Sequence, residues 1–288
     1  LVMLPLLFTN DGFRRSLTKS IRDPLVLGPF WATYEQWSPA ERVAAVAPVM
    51  NKLRPLLRPG VRGVLGQRDP RFSIEQVFTD RKVLLVPLQR GVIGPEAARL
   101  LGSIVVAELW QAIQGRAAIP QTQRHPAAVV IDELQDYLAL PTDIAEALAQ
   151  ARGYGVGFVL AHQFLSQLPR EMRSAVMANA LNRIVFRLPH EDAIQMEKGH
   201  PEVVAADLES LGPHEIYASL FARGTVTRYS SGRTRPLGPA TTDVAALRRL
   251  SRERYGRPLD EVEAGFAELY DIGSDHDLGP TGRRRRPS

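Results

Sequence analysis

Between residues 80 and 190, short apolar runs alternate with helix-like segments, and this alternation leaves few folds open. The runs at 82–88, 127–131, 157–161 and 183–188 have the length and composition of buried strands. Helical patterns lie between them, including a long one at 94–114 that is apolar on more than one side. Strands that alternate with helices at this spacing predict a mostly parallel sheet flanked by helices, which is an α/β fold.

The flanking sequence predicts further segments. Ser38-Pro39 has the residues of a helix start, and we interpret residues 1–68 as a helical segment. Residues 69–232 form the predicted core and include a hairpin that turns at Arg223-Gly224. Residues 233–272 read as a linker followed by a polar helix, and the Gly-, Asp- and Arg-rich residues 273–288 predict a disordered basic tail.

Composition excludes several classes of function. The chain has no cysteine, so disulfide frameworks, thiolate zinc sites and cysteine nucleophiles are ruled out. Its six histidines are scattered, and there is no Gly-x-Ser-x-Gly nucleophile elbow. The formal net charge of +5 comes largely from the tail arginines 283–286, which are either a solvated tail or a contact to DNA or acidic lipid. No apolar run approaches the roughly 18 residues that a membrane span requires.

The chemistry-bearing stretch begins with the apolar run Ala127–Ile131, which is followed at once by Asp132 and Glu133. Ligands of parallel sheets bind outside the carboxyl ends of the strands. Two acids at that edge have the Walker B pattern, in which the first holds Mg²⁺ and the second activates a water. The alternative interpretation is a strand that simply ends in solvated acids.

Two further residues favour the functional interpretation. Gln163 follows the next predicted strand, where a polar side chain is well placed to sense a terminal phosphate. Arg152 ends the intervening helix, from which an arginine can stabilise transition-state charge in a neighbouring site. Taken singly, Arg152 also fits a cation favoured near a helix C-terminus, and Gln163 also fits an ordinary polar loop residue.

Five blocks of sequence, in order, resemble the motor domain of the type IV secretion and conjugation coupling ATPases, within the HerA/FtsK group of RecA-like DNA pumps. The resemblance covers about residues 70–230, and the blocks are Lys82–Gly91, Val129–Tyr137, Leu148–Gly157, Val159–Leu168 and Asn179–Leu188. It implies a RecA-like P-loop NTPase core that binds ATP and Mg²⁺, and it is compatible with residues 1–68 as part of an all-helical insertion.

The resemblance also implies roles. Asp132 matches the metal-associated acid of Walker B and Glu133 the catalytic glutamate. Arg152 matches the arginine finger that reaches the adjacent subunit, and Gln163 the sensor glutamine that contacts the nucleotide. Such proteins are hexamers that move DNA through a central pore at the cytoplasmic face of the membrane. The partners implied are DNA, further copies of the chain, and other type IV secretion or relaxosome proteins.

The sequence departs from the family in one respect. It contains no Gly-x-x-x-x-Gly-Lys-Ser/Thr, and none of its four lysines follows a glycine-rich turn. A P-loop supplies the backbone cradle and the lysine for the phosphates. We therefore expect the C-terminal part of a longer ATPase, incomplete on the N-terminal side of its core, membrane-associated through upstream sequence and inactive in isolation. The alternatives are a HerA-like DNA-processing translocase and a catalytically inactive docking or DNA-binding module.

Overall fold

The structure is a computed structural model that describes residues 1–137 and 144–275. The helices in chain order are α1 (Leu4–Thr9), α2 (Asp11–Thr18), α3 (Leu27–Gln36), α4 (Pro39–Leu53), α5 (Pro59–Leu65), α6 (Glu75–Thr79), α7 (Arg90–Ile93), α8 (Pro95–Gly115), α9 (Ile144–Gln150), α10 (Arg170–Asn179), α11 (His190–Glu197), α12 (Ala205–Glu209), α13 (Val244–Tyr255) and α14 (Leu259–Asp275). The strands are β1 (Ala127–Ile131), β2 (Val156–Leu160), β3 (Arg183–Val185), β4 (Glu215–Ser219), β5 (Phe221–Ala222), β6 (Thr225–Val226) and β7 (Ser230–Arg233).

The chain divides into two compact units. Unit 1 comprises Leu1–Phe72, Leu88–Ala98 and the residues from Val244 onward, and unit 2 comprises Ser73–Pro87 and Arg99–Asp243.

The predicted helix start lies within the described residues, and the predicted basic tail does not. α4 begins after Ser38 as predicted, whereas the tail arginines lie outside the described residues. Helix α14 was not predicted as a separate element.

Unit 1 is helical, and a buried arginine organises its first helices. Arg14 on α2 is fully buried, and its Nε donates a hydrogen bond of 2.7 Å to Glu35 at the end of α3. The same guanidinium pairs with Asp11 and lies 5.1 Å from the ring centre of Tyr34. Arg42 on α4 pairs with Asp11 at 3.1 Å. These charges neutralise one another inside the unit, so they act in folding.

The start of α4 shows how the sequence determines a helix boundary. The Ser38 hydroxyl accepts a hydrogen bond from the Glu41 backbone N–H at 3.3 Å, and the Glu41 carboxylate accepts one from the Ser38 backbone N–H at 2.7 Å. Pro39 occupies the first helical position, where no backbone donor is needed. Two otherwise unpaired donors are thereby satisfied, which stabilises such a helix by about 1 kcal/mol.

In unit 2, β1 and β2 form a parallel pair with Ala127 opposite Val156 and Ile131 opposite Leu160. This confirms the predicted strands and their direction. Val129 and Ile131 point into a core that includes Trp110 and Ile113 of α8. On the opposite face, Val130 is 70% exposed. Burial of one face therefore fixes the register, because a shift by one residue would exchange the two faces.

The remaining strands correct part of the α/β prediction. β3 was expected to extend the parallel sheet, but it pairs antiparallel with β4 in a separate three-stranded sheet of order β3-β4-β7. The reason is the chain path, since α11 and α12 bring β4 back beside β3 in the reverse direction. The predicted hairpin turn at Arg223-Gly224 is present between β5 and β6.

The expected strand at 82–88 is also absent. These residues have no regular secondary structure, and Val83 and Leu85 are 85% and 81% exposed. A strand needs a partner for its backbone hydrogen bonds. Within the described part of the chain, β1 and β2 pair only with each other, so the run at 82–88 has no ladder to join. Its apolar composition alone does not create a strand.

No helix among residues 1–137 and 144–275 combines the length and the apolar character needed to cross a membrane.

Candidate active site

The carboxyl ends of β1 and β2 are joined by backbone hydrogen bonds beyond the strands themselves. The Ala161 N–H donates to the Ile131 carbonyl at 2.9 Å, and the Leu134 N–H donates to the Ala161 carbonyl at 3.0 Å. The chain after β1 is thus attached to the chain after β2. Asp132 and Glu133 occupy the short segment between these two bonds. Their position at this edge of the parallel pair is the one that the sequence predicted.

Glu133 has a left-handed backbone conformation, with φ of 54°. This region is unfavourable for residues other than glycine, and such residues cluster at functional sites. A one-turn 3₁₀ helix follows at Leu134–Tyr137, and Leu134 is fully buried as its anchor. The anchor and the Leu134 backbone hydrogen bond hold the strained residue in place. The fold therefore determines where the half-buried Glu133 side chain lies.

Two side-chain amides hydrogen-bond to the carboxylate of Glu133. Gln163 Nε2 donates to Oε1 at 2.6 Å, and Gln135 Nε2 donates to Oε2 at 2.5 Å. Gln163 comes from the end of β2, thirty residues along the chain from Glu133. The structure thus brings together two of the predicted site residues. Amide donors orient a carboxylate while leaving its negative charge in place, which is what a group that accepts a proton needs.

Asp132 lies at the same edge, with an exposed side chain. Among the described residues, no three His, Asp or Glu side chains lie close enough together to form a metal centre. Mg²⁺ commonly takes one or two protein carboxylates and fills its remaining positions with waters and phosphate oxygens. A single exposed carboxylate at this edge fits that kind of coordination. It does not fit a metal held by protein ligands alone.

Arg152 lies at the amino-terminal end of the parallel strands β1 and β2, opposite the end that carries Glu133. It follows α9 in an exposed turn, and its carbonyl accepts a hydrogen bond from the Gly155 N–H at 3.1 Å, just before β2 begins. Five residues of strand, roughly 16 Å, separate that edge from Glu133. The structure therefore does not bring Arg152 to the Glu133 site of its own chain.

Sequence reasoning missed Gln135 and the left-handed conformation of Glu133. The amide two residues after Glu133 was a visible signal, but only the 3₁₀ turn explains why it folds back onto the acid. Two neighbouring polar atoms, Gln135 Oε1 and His162 Nδ1, are buried without a hydrogen bond in the described structure.

Comparison with solved structures defines the fold class. The structure resembles the plasmid coupling protein TrwB in complex with the non-hydrolysable GTP analogue GDPNP, with a TM-score of 0.51 and 16% identity over 85% of this chain and 63% of that chain. It also resembles the bacterial conjugative coupling protein TrwBdeltaN70 in an unbound monoclinic form, with a TM-score of 0.51 and 15% identity over 90% and 62%. At this identity the likeness concerns the fold, and the chain spans under two thirds of either protein.

The family model for the type IV secretion-system coupling protein DNA-binding domain matches residues 26–221. The match includes Asp132, Glu133, Arg152 and Gln163 and covers more than half of the chain. The protein belongs to this family, as the five sequence blocks predicted. A comparison with curated protein sequences finds no significant match.

Proposed function

We propose that this chain supplies the Walker B side of a nucleotide-hydrolysing site in the ATP-driven, DNA-translocating motor of a conjugative coupling protein. The observation that carries the proposal is the 2.6 Å hydrogen bond between Gln163 and Glu133, which links the ends of two adjacent parallel strands. A solvated pair of acids would not require a strained backbone or two amide donors. This arrangement favours chemistry over the alternative of a strand that ends in solvent.

The residues divide the proposed chemistry among them. Asp132 would hold Mg²⁺, which in turn neutralises phosphate charge when ATP is bound. Glu133 accepts the proton of the attacking water, and Gln163 holds the Glu133 carboxylate at Oε1 while its own position responds to the terminal phosphate. These residues fit the metal and water side of the site.

In this proposal the phosphate-cradling side comes from other protein residues, because the sequence contains no P-loop. Two observations support a core that is completed by further protein. The chain covers 63% of TrwB in the structural match. The outer face of β1 and β2 also exposes apolar side chains, with Val130 at 70% and Val159 at 56%. As an isolated chain we expect it to be inactive.

The position of Arg152 supports action between subunits. The side chain is exposed at the edge opposite Glu133, so it cannot serve its own site without a large rearrangement. In a ring of subunits, one copy would present this arginine to the nucleotide of the next. We infer a hexamer with ATP sites between neighbouring copies. Contacts with other type IV secretion or relaxosome proteins, and membrane association through further sequence, belong to the same proposal.

The test is ATP hydrolysis by the complete coupling protein with and without DNA, comparing the wild type with Asp132→Asn. We expect DNA-stimulated, Mg²⁺-dependent hydrolysis in the wild type. The variant should lose most of this activity, and the activity that remains should not depend on Mg²⁺. Asp192→Asn is unsuitable as a control because Asp192 is buried and accepts a backbone hydrogen bond from Leu165. Asp260, in the first turn of α14, offers an exposed acid for the matched control Asp260→Asn.

One observation favours a second candidate function. A catalytically inactive docking or DNA-binding module would need no P-loop, and the sequence contains none. A complete protein that binds DNA but hydrolyses no ATP would support the inactive module. A HerA-like DNA-processing translocase would hydrolyse ATP in the same way but would act without a conjugative partner, so a conjugative transfer assay separates it from a coupling protein.

A further inference from the structure

The β5–β6 hairpin forms an exposed basic surface. We call residues 220–228 the basic hairpin. It carries Arg223 at its tip and Arg228 at its base, both exposed. The sequence from Ile216 to Thr242 contains four arginines and no acid. Phe221 and Val226, which are cross-strand partners, expose 40% and 47% of their surface.

The basic hairpin has a defined shape. Arg223 and Gly224 both have positive φ, 51° and 83°, which gives the two-residue turn that matches the twist of antiparallel strands. The Asn182 side chain accepts a hydrogen bond from the Phe221 N–H at 2.8 Å, and the Thr227 N–H donates to the Leu220 carbonyl at 2.8 Å. The buried Ser219 hydroxyl donates to the Thr227 carbonyl at 2.7 Å. An anchored base therefore presents a charged tip.

The arginines at the two ends of this region have different surroundings. Arg233 on β7 lies directly opposite Glu215 on β4, whose carboxylate accepts a hydrogen bond from the Gly212 N–H at 2.8 Å. Glu202 interacts electrostatically with Arg228 and also accepts a hydrogen bond from the Tyr229 backbone N–H at 3.1 Å. Arg223 at the tip thus faces solvent, whereas Arg228 at the base lies near the carboxylate of Glu202.

We propose that the basic hairpin is a DNA-contacting element, in which Arg223 and Arg228 bind backbone phosphates and Phe221 stacks on an exposed base. Arginine presents a planar fork of donors that matches phosphate geometry, and base stacking on aromatic rings is tolerant of sequence. This inference rests on DNA as the partner in the proposed function, and it names the surface that touches it. Phosphate contacts are common to single-stranded and duplex DNA, whereas stacking by Phe221 requires an unpaired base.

The test measures binding of the complete coupling protein to labelled single-stranded and duplex oligonucleotides by fluorescence anisotropy over a range of salt concentrations. The variant is Arg223→Asn with Arg228→Gln, because asparagine tolerates positive φ better than alanine. We expect affinity to fall about tenfold near 0.1 M salt and the salt slope on single strands to fall by about 1.4, at about 0.7 for each lost phosphate contact. Arg233→Gln is the matched control and should bind within about twofold of the wild type.

Two further variants separate the contribution of positive charge from that of base stacking. Arg223→Lys with Arg228→Lys keeps both charges and should restore the salt slope. Phe221→Ala should weaken single-strand binding about fivefold or more and leave duplex binding unchanged. A double Asn/Gln variant that binds both DNAs like Arg233→Gln would overturn the hairpin proposal alone. A complete wild-type protein that binds neither DNA would overturn the proposed DNA function as well, so the two failures are distinguishable.

Discussion

Two groups of charged residues in this protein are built in opposite ways. In unit 1, the guanidinium of Arg14 is fully buried and paired with the carboxylates of Asp11 and Glu35. In unit 2, the Glu133 carboxylate accepts hydrogen bonds from the neutral amides of Gln135 and Gln163 at the edge of a sheet. The first arrangement cancels charge to hold helices together. The second orients a charge and retains it, so the two groups should respond differently to substitution.

The pKa values of Asp11 and Glu35 in unit 1 also indicate that these charges are paired. The hydrogen bond from Arg14 holds the pKa of Glu35 below its ordinary 4.5, against the opposing effect of burial. Burial by itself would raise the pKa of Asp11, but the hydrogen bond from Arg14 and the charges of Arg14, Arg42 and Arg15 lower it below 3.8. Both acids are thus stabilised in the charged form by permanent cations, and their role is structural.

The largest expected effect concerns catalysis between subunits. Arg152→Ala in the complete protein should lower ATP turnover about a thousandfold while nucleotide affinity stays unchanged, because an arginine finger stabilises charge only in the transition state. Turnover and nucleotide binding are measured separately. Arg170→Ala, at the exposed start of α10, is the matched control and should keep normal turnover. Normal turnover in Arg152→Ala would show that the finger assignment is wrong.

The next effect concerns folding. Arg14→Met should destabilise unit 1 by about 3 kcal/mol, because it removes a fully buried guanidinium and its charge-assisted hydrogen bonds to Asp11 and Glu35. The free energy of unfolding is measured by urea titration. Arg15→Met is the control, since that side chain is 63% exposed and should contribute less than about 1 kcal/mol. Equal losses in the two variants would contradict the structural role of Arg14.

A smaller effect is expected at the site itself. Gln163→Leu should reduce ATP turnover about tenfold, because one hydrogen bond to the charged Glu133 is lost. Thermal stability should change little, since Gln163 is exposed. Turnover is measured beside the melting temperature. A variant with a lower melting temperature and unchanged turnover would make Gln163 a structural residue like Arg14.

The smallest effect is a pH dependence. Because the folded-state pKa values of Asp11 and Glu35 are depressed, their contribution is complete above pH of about 4.5 and is lost as the pH falls through the folded values. Solvent screening limits it to about 1 kcal/mol. The difference between the melting temperatures of the wild type and Arg14→Met should therefore shrink, without vanishing, as the pH falls below 4 or so. Parallel curves over that range would contradict the assignment.

The sequence predicted the elements whose signals are local. Ser38 and Glu41 form a capping box, and Ala127–Ile131 is a buried parallel strand followed by two acids, as expected. The strand predicted at 82–88 is absent, because strand formation depends on a pairing partner and not on apolar composition alone. β3 was recognised as a strand, but its direction is determined by the distant β4.

The candidate site divides in the same way. Glu133 and Gln163 were identified from spacing and from the family resemblance, and their contact follows from parallel pairing. The hydrogen bond from the second donor, Gln135, depends on the left-handed φ of Glu133, which no local sequence pattern predicts. The burial of Arg14 was equally invisible, because its acid Glu35 is 21 residues away and only the packing of α2 against α3 brings them together.

The most direct test of the central claim is the DNA-stimulated ATP turnover of the complete protein with Glu133→Gln, measured together with its melting temperature. The substitution keeps the shape of the side chain and removes the negative charge that the amides orient. The account predicts turnover reduced at least about a hundredfold, with nucleotide still bound and the melting temperature unchanged. A variant that hydrolyses ATP at the wild-type rate would contradict the catalytic role of Glu133.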